Sequence, residues 1–165
     1  MHRLVQRVLS ALVGVAMLGS IIAAGEASAA TLHVGAASFI PASSTVATEY
    51  NNLGSGLLGV GRFLAPVALP PNATVTRIEM RAIDQDGSSA SIVRMKLRKV
   101  RVNSGSVADM ASVVSTEGSG NRGFATTAIS VNPIGTGRAT YLEVEIDAAT
   151  FELGFVGAEI EYTRP

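Results

Sequence analysis

The feature that most constrains this chain is an apolar period of two. From Val75 to Asp84, Ile78, Met80 and Ala82 fall on one side and Arg77, Glu79 and Arg81 on the other. Such alternation marks a strand with one face buried, whereas an amphipathic helix repeats its apolar residues every three or four positions. The pattern recurs from Ser91, with Val93, Met95 and Leu97 opposite Arg94, Lys96 and Arg98. At Lys99 the phase is expected to swap, through a bulge or strand break, so that Val100 and Val102 take the apolar role. Leu142, Val144 and Ile146 alternate with Tyr141, Glu143, Glu145 and Asp147, and the closing segment sets Val156, Ala158, Ile160 and Tyr162 against Gly157, Glu159 and Glu161.

Weaker strands are expected at Leu32 to Phe39, Thr45 to Tyr50, Leu57 to Ala68, Val107 to Thr116 and Arg122 to Val131. Between strands stand turn-forming groups such as Pro70-Pro71-Asn72, Asp86-Gly87, Asn103-Ser104-Gly105 and Asn132-Pro133. No stretch after the N-terminus holds a helical apolar period over three turns, which disfavours βαβ units. The expected fold is all-β: a single antiparallel β-sandwich, jelly-roll-like, of about eight or nine strands.

The N-terminus reads differently. Arg3 and Arg7 precede an apolar run from Val8 to Ala24, and small residues follow at Ala27, Ser28, Ala29 and Ala30. A basic start, an apolar middle and an A-x-A site are the order of a secretory signal, so residues 1–29 are expected to be removed, leaving 30–165 as one domain. With no twin arginine and no cysteine for a lipid anchor, the expected destination is secreted or periplasmic, with no membrane attachment after cleavage. The whole chain of 165 residues balances 13 basic against 13 acidic side chains and holds no cysteine. That excludes a disulfide scaffold, a thiolate metal site and a cysteine nucleophile, and near-neutral charge argues against nucleic acid as a partner.

Several local patterns invite chemistry. Gly54-Ser55-Gly56-Leu57-Leu58-Gly59 matches G-x-G-x-x-G, but a dinucleotide site needs a helix next, and here the chain runs on to Pro66, Pro70 and Pro71. Asp84 and Asp86 before Gly87 alternate as calcium-loop carboxylates do, although an EF-hand would need an acid at position 93, where Val93 stands. Calcium is thus the one candidate cofactor, with Asp84 and Asp86 as its candidate ligands; the bland alternative is a simple Asp-Gly turn. Arg94, Lys96 and Arg98 on one strand face could bind an anionic polymer, or could pair with the acidic faces at Glu143 to Asp147 and Glu159 to Glu161, which the charge balance favours. Tyr141, in the polar phase of its strand, is the best exposed ring for a sugar, in a chain that lacks tryptophan. His33 is the lone histidine beyond the signal, and no G-x-S-x-G elbow accompanies it, so no catalytic residue is assigned and no enzyme is expected.

The run Leu69-Pro70-Pro71-Asn72-Ala73-Thr74-Val75, the strand to Asp84, Val93 to Lys99, Tyr141-Leu142-Glu143-Val144 and the closing Val156 to Tyr162 resemble a group of exported bacterial β-sandwich proteins of unassigned function. Asn72 stands where that group often has glycine. The resemblance spans roughly Ala68 to Tyr162, implies fold and export, and carries over no catalytic residue. The leading functional expectation is a non-enzymatic structural or interaction role outside the cell, with homo-oligomers as one form of it. The alternative is a module binding a cell-surface polysaccharide through Arg94, Lys96, Arg98 and Tyr141 or through the Asp84/Asp86 loop; a hydrolase is a minor third.

Overall fold

A computed structural model describes residues 28–43, 51–52, 56–85, 87, 91–116, 118–130, 133–147 and 152–164. Its strands in chain order are β1 Ala29–Gly35, β2 Ile40–Pro41, β3 Asn51–Asn52, β4 Leu57–Leu58, β5 Gly61–Val67, β6 Thr74–Asp84, β7 Ile92–Arg101, β8 Val107–Val114, β9 Gly120–Thr126, β10 Arg138–Asp147 and β11 Leu153–Thr163. A 3-10 turn, Ala36–Ser38, separates β1 from β2. The expected strand at Thr45 to Tyr50 lies outside the described residues.

One sheet runs β3-β4-β11-β6-β9, with β1 also paired to β11; the other runs β2-β5-β10-β7-β8. Every pairing is antiparallel. Counting β4 to β11 as eight successive strands, the first sheet is ordered first, eighth, third, sixth and the second is ordered second, seventh, fourth, fifth. That order is a jelly roll, with the seven-residue β1 and the two-residue β2 and β3 as additions at one side.

The core lies between the sheets and is built from the inward phase of each long strand. Ile78, Met80 and Ala82 of β6 meet Val93, Met95 and Leu97 of β7, Leu142, Val144 and Ile146 of β10 and Ile160 of β11, all essentially without solvent contact. Phe39 and Phe155 pack edge to face with centroids 4.8 Å apart. Each such large side chain contributes about 1.5–3 kcal/mol by leaving water, which is how a sandwich without disulfides holds together.

Two expectations about phase are corrected. The phase of β7 does not swap at Lys99: the strand keeps unbroken register with β10, Lys99 faces inward opposite Thr140 and is 6% exposed, and Val102 is 71% exposed. The irregularity belongs instead to the neighbouring strand, where β8 steps from Ala111 opposite Leu97 to Asp109 opposite Arg98 and leaves Met110 as the extra residue. Lys99 Nζ donates to the Pro133 carbonyl at 3.4 Å, and burial, then the charge of Arg138, pushes its amine below the ordinary lysine value. In β11 a register shift between Phe155 and Gly157 displaces Val156 from the core phase, so Leu153 and Phe155 are the buried residues there.

Candidate functional site

The outward face of the β2-β5-β10-β7-β8 sheet brings together four of the residues singled out by sequence. Cross-strand partners share a face, and three rows follow from the registers. Arg62, Glu145, Arg94 and Val114 form the first; Ile40, Leu64, Glu143, Lys96 and Ser112 the second; Pro66, Tyr141, Arg98 and Asp109 the third. The basic strand thus lies beside an acidic one. Arg94 Nη1 meets Glu145 Oε2 at 2.9 Å, Arg98 Nη1 meets Glu143 Oε2 at 2.7 Å, Arg98 Nε meets Asp109 Oδ1 at 2.7 Å and Lys96 Nζ meets Asp109 Oδ2 at 3.3 Å.

These contacts shift two groups of the face, Arg98 and Asp109. Burial pulls the Arg98 guanidinium down, but its hydrogen bond and charge contact with Glu143 outweigh this and hold it above its ordinary value. Burial likewise raises Asp109, yet the Arg98 charge and the Lys96 hydrogen bond together hold its carboxyl below the usual range. The three cations are therefore engaged within the sheet.

On the β5 side the same face is less charged. Ile40 is 63% exposed, Pro66 is exposed, and Leu64 and Tyr141 are half-buried, which gives an apolar strip along β5 bordered by Glu143 and Glu145. The strip leads into a cleft of about 310 Å³ lined by Ala42, Ser43, Val60, Gly61, Arg62, Glu145, Ile146 and Asp147. Among the described residues neither Arg62 nor Asp147 forms an ion pair, so both remain available to a ligand. From Asp147 to Tyr141 along β10 the surface runs on the order of 20 Å.

The remaining sequence candidates sit elsewhere. Asp84 ends β6 on the core side, fully buried, with Oδ2 accepting the Ser115 hydroxyl at 2.5 Å. Asp86 lies outside the described residues. His33 is on the outward face of β1, exposed, 3.6 Å from Glu159. There Arg77 pairs with Glu79 and, at 2.8 Å, with Glu161; these hydrogen bonds, Glu79 first, raise its guanidinium above the ordinary value. In the G-x-G-x-x-G segment, Gly54 is outside the described residues, Leu57–Leu58 form β4, and strand β5 follows rather than a helix. Among the described residues, no three His, Cys, Asp or Glu side chains gather as a metal site, and no helix is long and apolar enough to cross a membrane.

The cleft was not singled out by sequence. Its signal was present in Gly61-Arg62-Phe63-Leu64-Ala65-Pro66-Val67, where the phase opposite the buried Phe63, Ala65 and Val67 carries Leu64 and Pro66 rather than charges.

The sheet order places the chain in the class of two-sheet jelly-roll domains. No family model and no curated protein matches its sequence. Similar solved structures include the CBM22-1 and GH10 modules of endo-1,4-β-D-xylanase 10B of Clostridium thermocellum complexed with xylohexaose, at TM-score 0.49 and 9% identity, covering 83% of this chain and 28% of that one. The CBM36-1 domain of a multidomain xylanase from the hindgut metagenome of Trinervitermes trinervoides also aligns, at TM-score 0.49 and 9% identity over 82% of this chain and 98% of that one. A chain of the cyanophage Pam1 capsid gives TM-score 0.44 at 14% identity, covering 84% and 86%.

Proposed function

We propose that this chain is a non-catalytic module that binds a polysaccharide outside the cytoplasm, along the β5 and β10 side of its second sheet. One observation carries the reading: an exposed apolar strip, Ile40, Leu64, Pro66 and Tyr141, runs into a cleft where Arg62 and Asp147 form no ion pair among the described residues. Sugars present apolar ring faces and rims of hydroxyls. A ring or aliphatic platform takes the first, while carboxylates and a guanidinium take the second by paired hydrogen bonds. The N-terminal export pattern supports a site of action where such polymers occur.

Affinity electrophoresis against soluble glucans, xylans and mannans, with pull-down on insoluble cellulose, chitin and peptidoglycan, tests the proposal. The protein should be retained by at least one polymer, and Tyr141→Ala and Arg62→Ala should each weaken retention about tenfold, the size of one lost stacking or charged hydrogen-bond contact. Retention by none of these, or variants that bind as the parent does, overturns it.

A second reading, self-association, is favoured by the edge strand β8, which exposes Val107 at one end, near the exposed Val102, and Val114 at the other. Light scattering on concentrated protein separates the two, since a strict monomer removes the second reading and leaves the first.

A further inference from the structure

Arg62 and Asp147 carry opposite charges on one outward face, yet they do not pair. Arg62 lies opposite Glu145 in the register of β5 with β10, and Asp147 stands two residues beyond Glu145, which puts the two side chains on diagonal positions of that face. Both are exposed and both line the cleft, and neither joins the other or any further charged group in an ion pair among the described residues. Glu145 beside them is taken by Arg94 at 2.9 Å. The rest of the wall is apolar: Val60 is 41% exposed, and Ala42, whose N–H donates to Arg62 O at 2.8 Å, carries the wall on to Ile40. The cleft thus offers a cationic donor, an anionic acceptor and an apolar wall within about 310 Å³, the small end for a ligand site.

Among the groups that sugar polymers carry, hydroxyls do not require this combination. A hydroxyl donates and accepts from one atom and turns to suit, so an unsubstituted sugar is served by a row of carboxylates or amides alone. A carboxylated sugar meets Arg62 but is repelled by Asp147, and a free amino sugar meets the reverse. A zwitterion carries both signs, but exposed charges gain little on pairing. A secondary amide fits throughout. It is planar and trans, so its N–H and C=O point to opposite sides in fixed directions, and it carries no net charge to be repelled. The methyl of an acetamido group then has Val60 and Ala42 to pack on.

We infer that the cleft binds the acetamido group of an N-acetylated amino sugar, with Asp147 accepting from its N–H and Arg62 donating to its C=O. The inference rests on the polysaccharide reading above and narrows it, to glycan chains of the kind found in chitin and peptidoglycan rather than glucans or xylans. Further rings of the chain lie along Leu64, Pro66 and Tyr141, where apolar contact distinguishes poorly between sugars. Selectivity therefore resides in the cleft, and the strip adds affinity.

Calorimetric titration with chitin oligosaccharides, their deacetylated forms and cellulose oligosaccharides of equal length provides the test, since these ligands differ only at the acetamido position. The acetylated ligand should bind at least tenfold more tightly than either of the others, the size of one charge-assisted hydrogen bond. Asp147→Ala and Arg62→Ala should each bring that preference toward parity, while Tyr141→Ala weakens all ligands alike and keeps it. Pull-down on insoluble chitin and on peptidoglycan separates the two sources, and retention on either supports the assignment. Equal affinity for the cellulose or deacetylated ligand, or a preference that survives Asp147→Ala, overturns it and leaves polysaccharide binding along the strip standing. Retention by no polymer at all overturns both.

Discussion

The outward face of the second sheet offers a comparison between two ion pairs of the same chemistry and different burial. Arg98 and Glu143 keep 23% and 11% of their side-chain exposure and approach to 2.7 Å, whereas Arg94 and Glu145 keep 36% each at 2.9 Å. The inner pair is little screened by water, so its hydrogen-bonded charges should couple by about 1.5–3 kcal/mol. The outer pair lies in the exposed range, at about 0.2–1 kcal/mol. Arg98 also binds Asp109, so a single Arg98→Met change removes two contacts at once. A double-mutant cycle with Glu143→Leu subtracts the Asp109 contribution and leaves the Arg98 to Glu143 coupling alone.

Urea unfolding of Arg98→Met, Glu143→Leu, the double variant and the parent measures it. Arg98→Met strands the little-exposed Glu143 carboxylate, whereas Glu143→Leu leaves Arg98 with Asp109 alone; the double change removes the stranded charge, so its loss should fall short of the sum of the two single losses by the coupling. With an urea slope of about 2 kcal/mol per molar, the coupling corresponds to a midpoint difference of roughly 1 M. The same cycle on Arg94 and Glu145 should give a smaller value that shrinks further in added salt. A coupling at the inner pair no larger than at the outer one would refute the argument that burial sets these energies.

Two further outcomes follow from the same contacts. Ser115→Ala removes the donor to Asp84 and the acceptor for Val93 N–H, and should cost about 1–3 kcal/mol in calorimetry; a loss below a few tenths would show that the inter-sheet link is slack. Asp109 is held below the ordinary carboxylate value in the folded chain, first against burial by Arg98, so its contribution is fully present above about pH 3.9 and fades as pH falls through the lower folded value. Urea midpoints of the parent and of Asp109→Asn should therefore converge toward pH 2, and an undiminished gap there counts against the assignment.

The long strands were legible because each carries its own record. Ile78, Met80 and Ala82, or Leu142, Val144 and Ile146, report the core side without reference to any neighbour, and the opposed signs of Arg94 to Arg98 and Glu143 to Glu145 report which strands pair. The Pro-Pro-Asn turn was legible too: Asn72 adopts φ 62°, and Ala73 N donates to Pro70 O, which explains why glycine or asparagine suits that position. Lys99 was misread because period two sees only its own strand. Its apparent phase defect is answered by Met110, an extra residue in a strand that sequence alone cannot align to it. Leu57 to Ala68 appeared as one strand, but Gly59 and Gly61, at φ 122° and 132°, divide it into β4 and β5 and put them in different sheets. The cleft escaped for a different reason, since Ser43, Arg62 and Asp147 meet only through the order of β2, β5 and β10.

That same order bears on what a ligand could read. A strand with Arg94, Lys96 and Arg98 suggests a polyanion when taken alone, yet in the sheet each cation faces a carboxylate within 3.3 Å, so the field they project is largely cancelled. What stays uncommitted lies one strand over, where an apolar strip ends beside one guanidinium and one carboxylate of opposite sign. Recognition there would depend on shape and paired hydrogen bonds rather than on net charge. On the proposed reading the ligand is therefore a neutral polymer, and its binding should be nearly indifferent to added salt, in contrast to the steep salt dependence a polyanion would show. A retained polymer released by 0.5 M salt would place the charged strands, and not the β5 strip, at the centre of recognition.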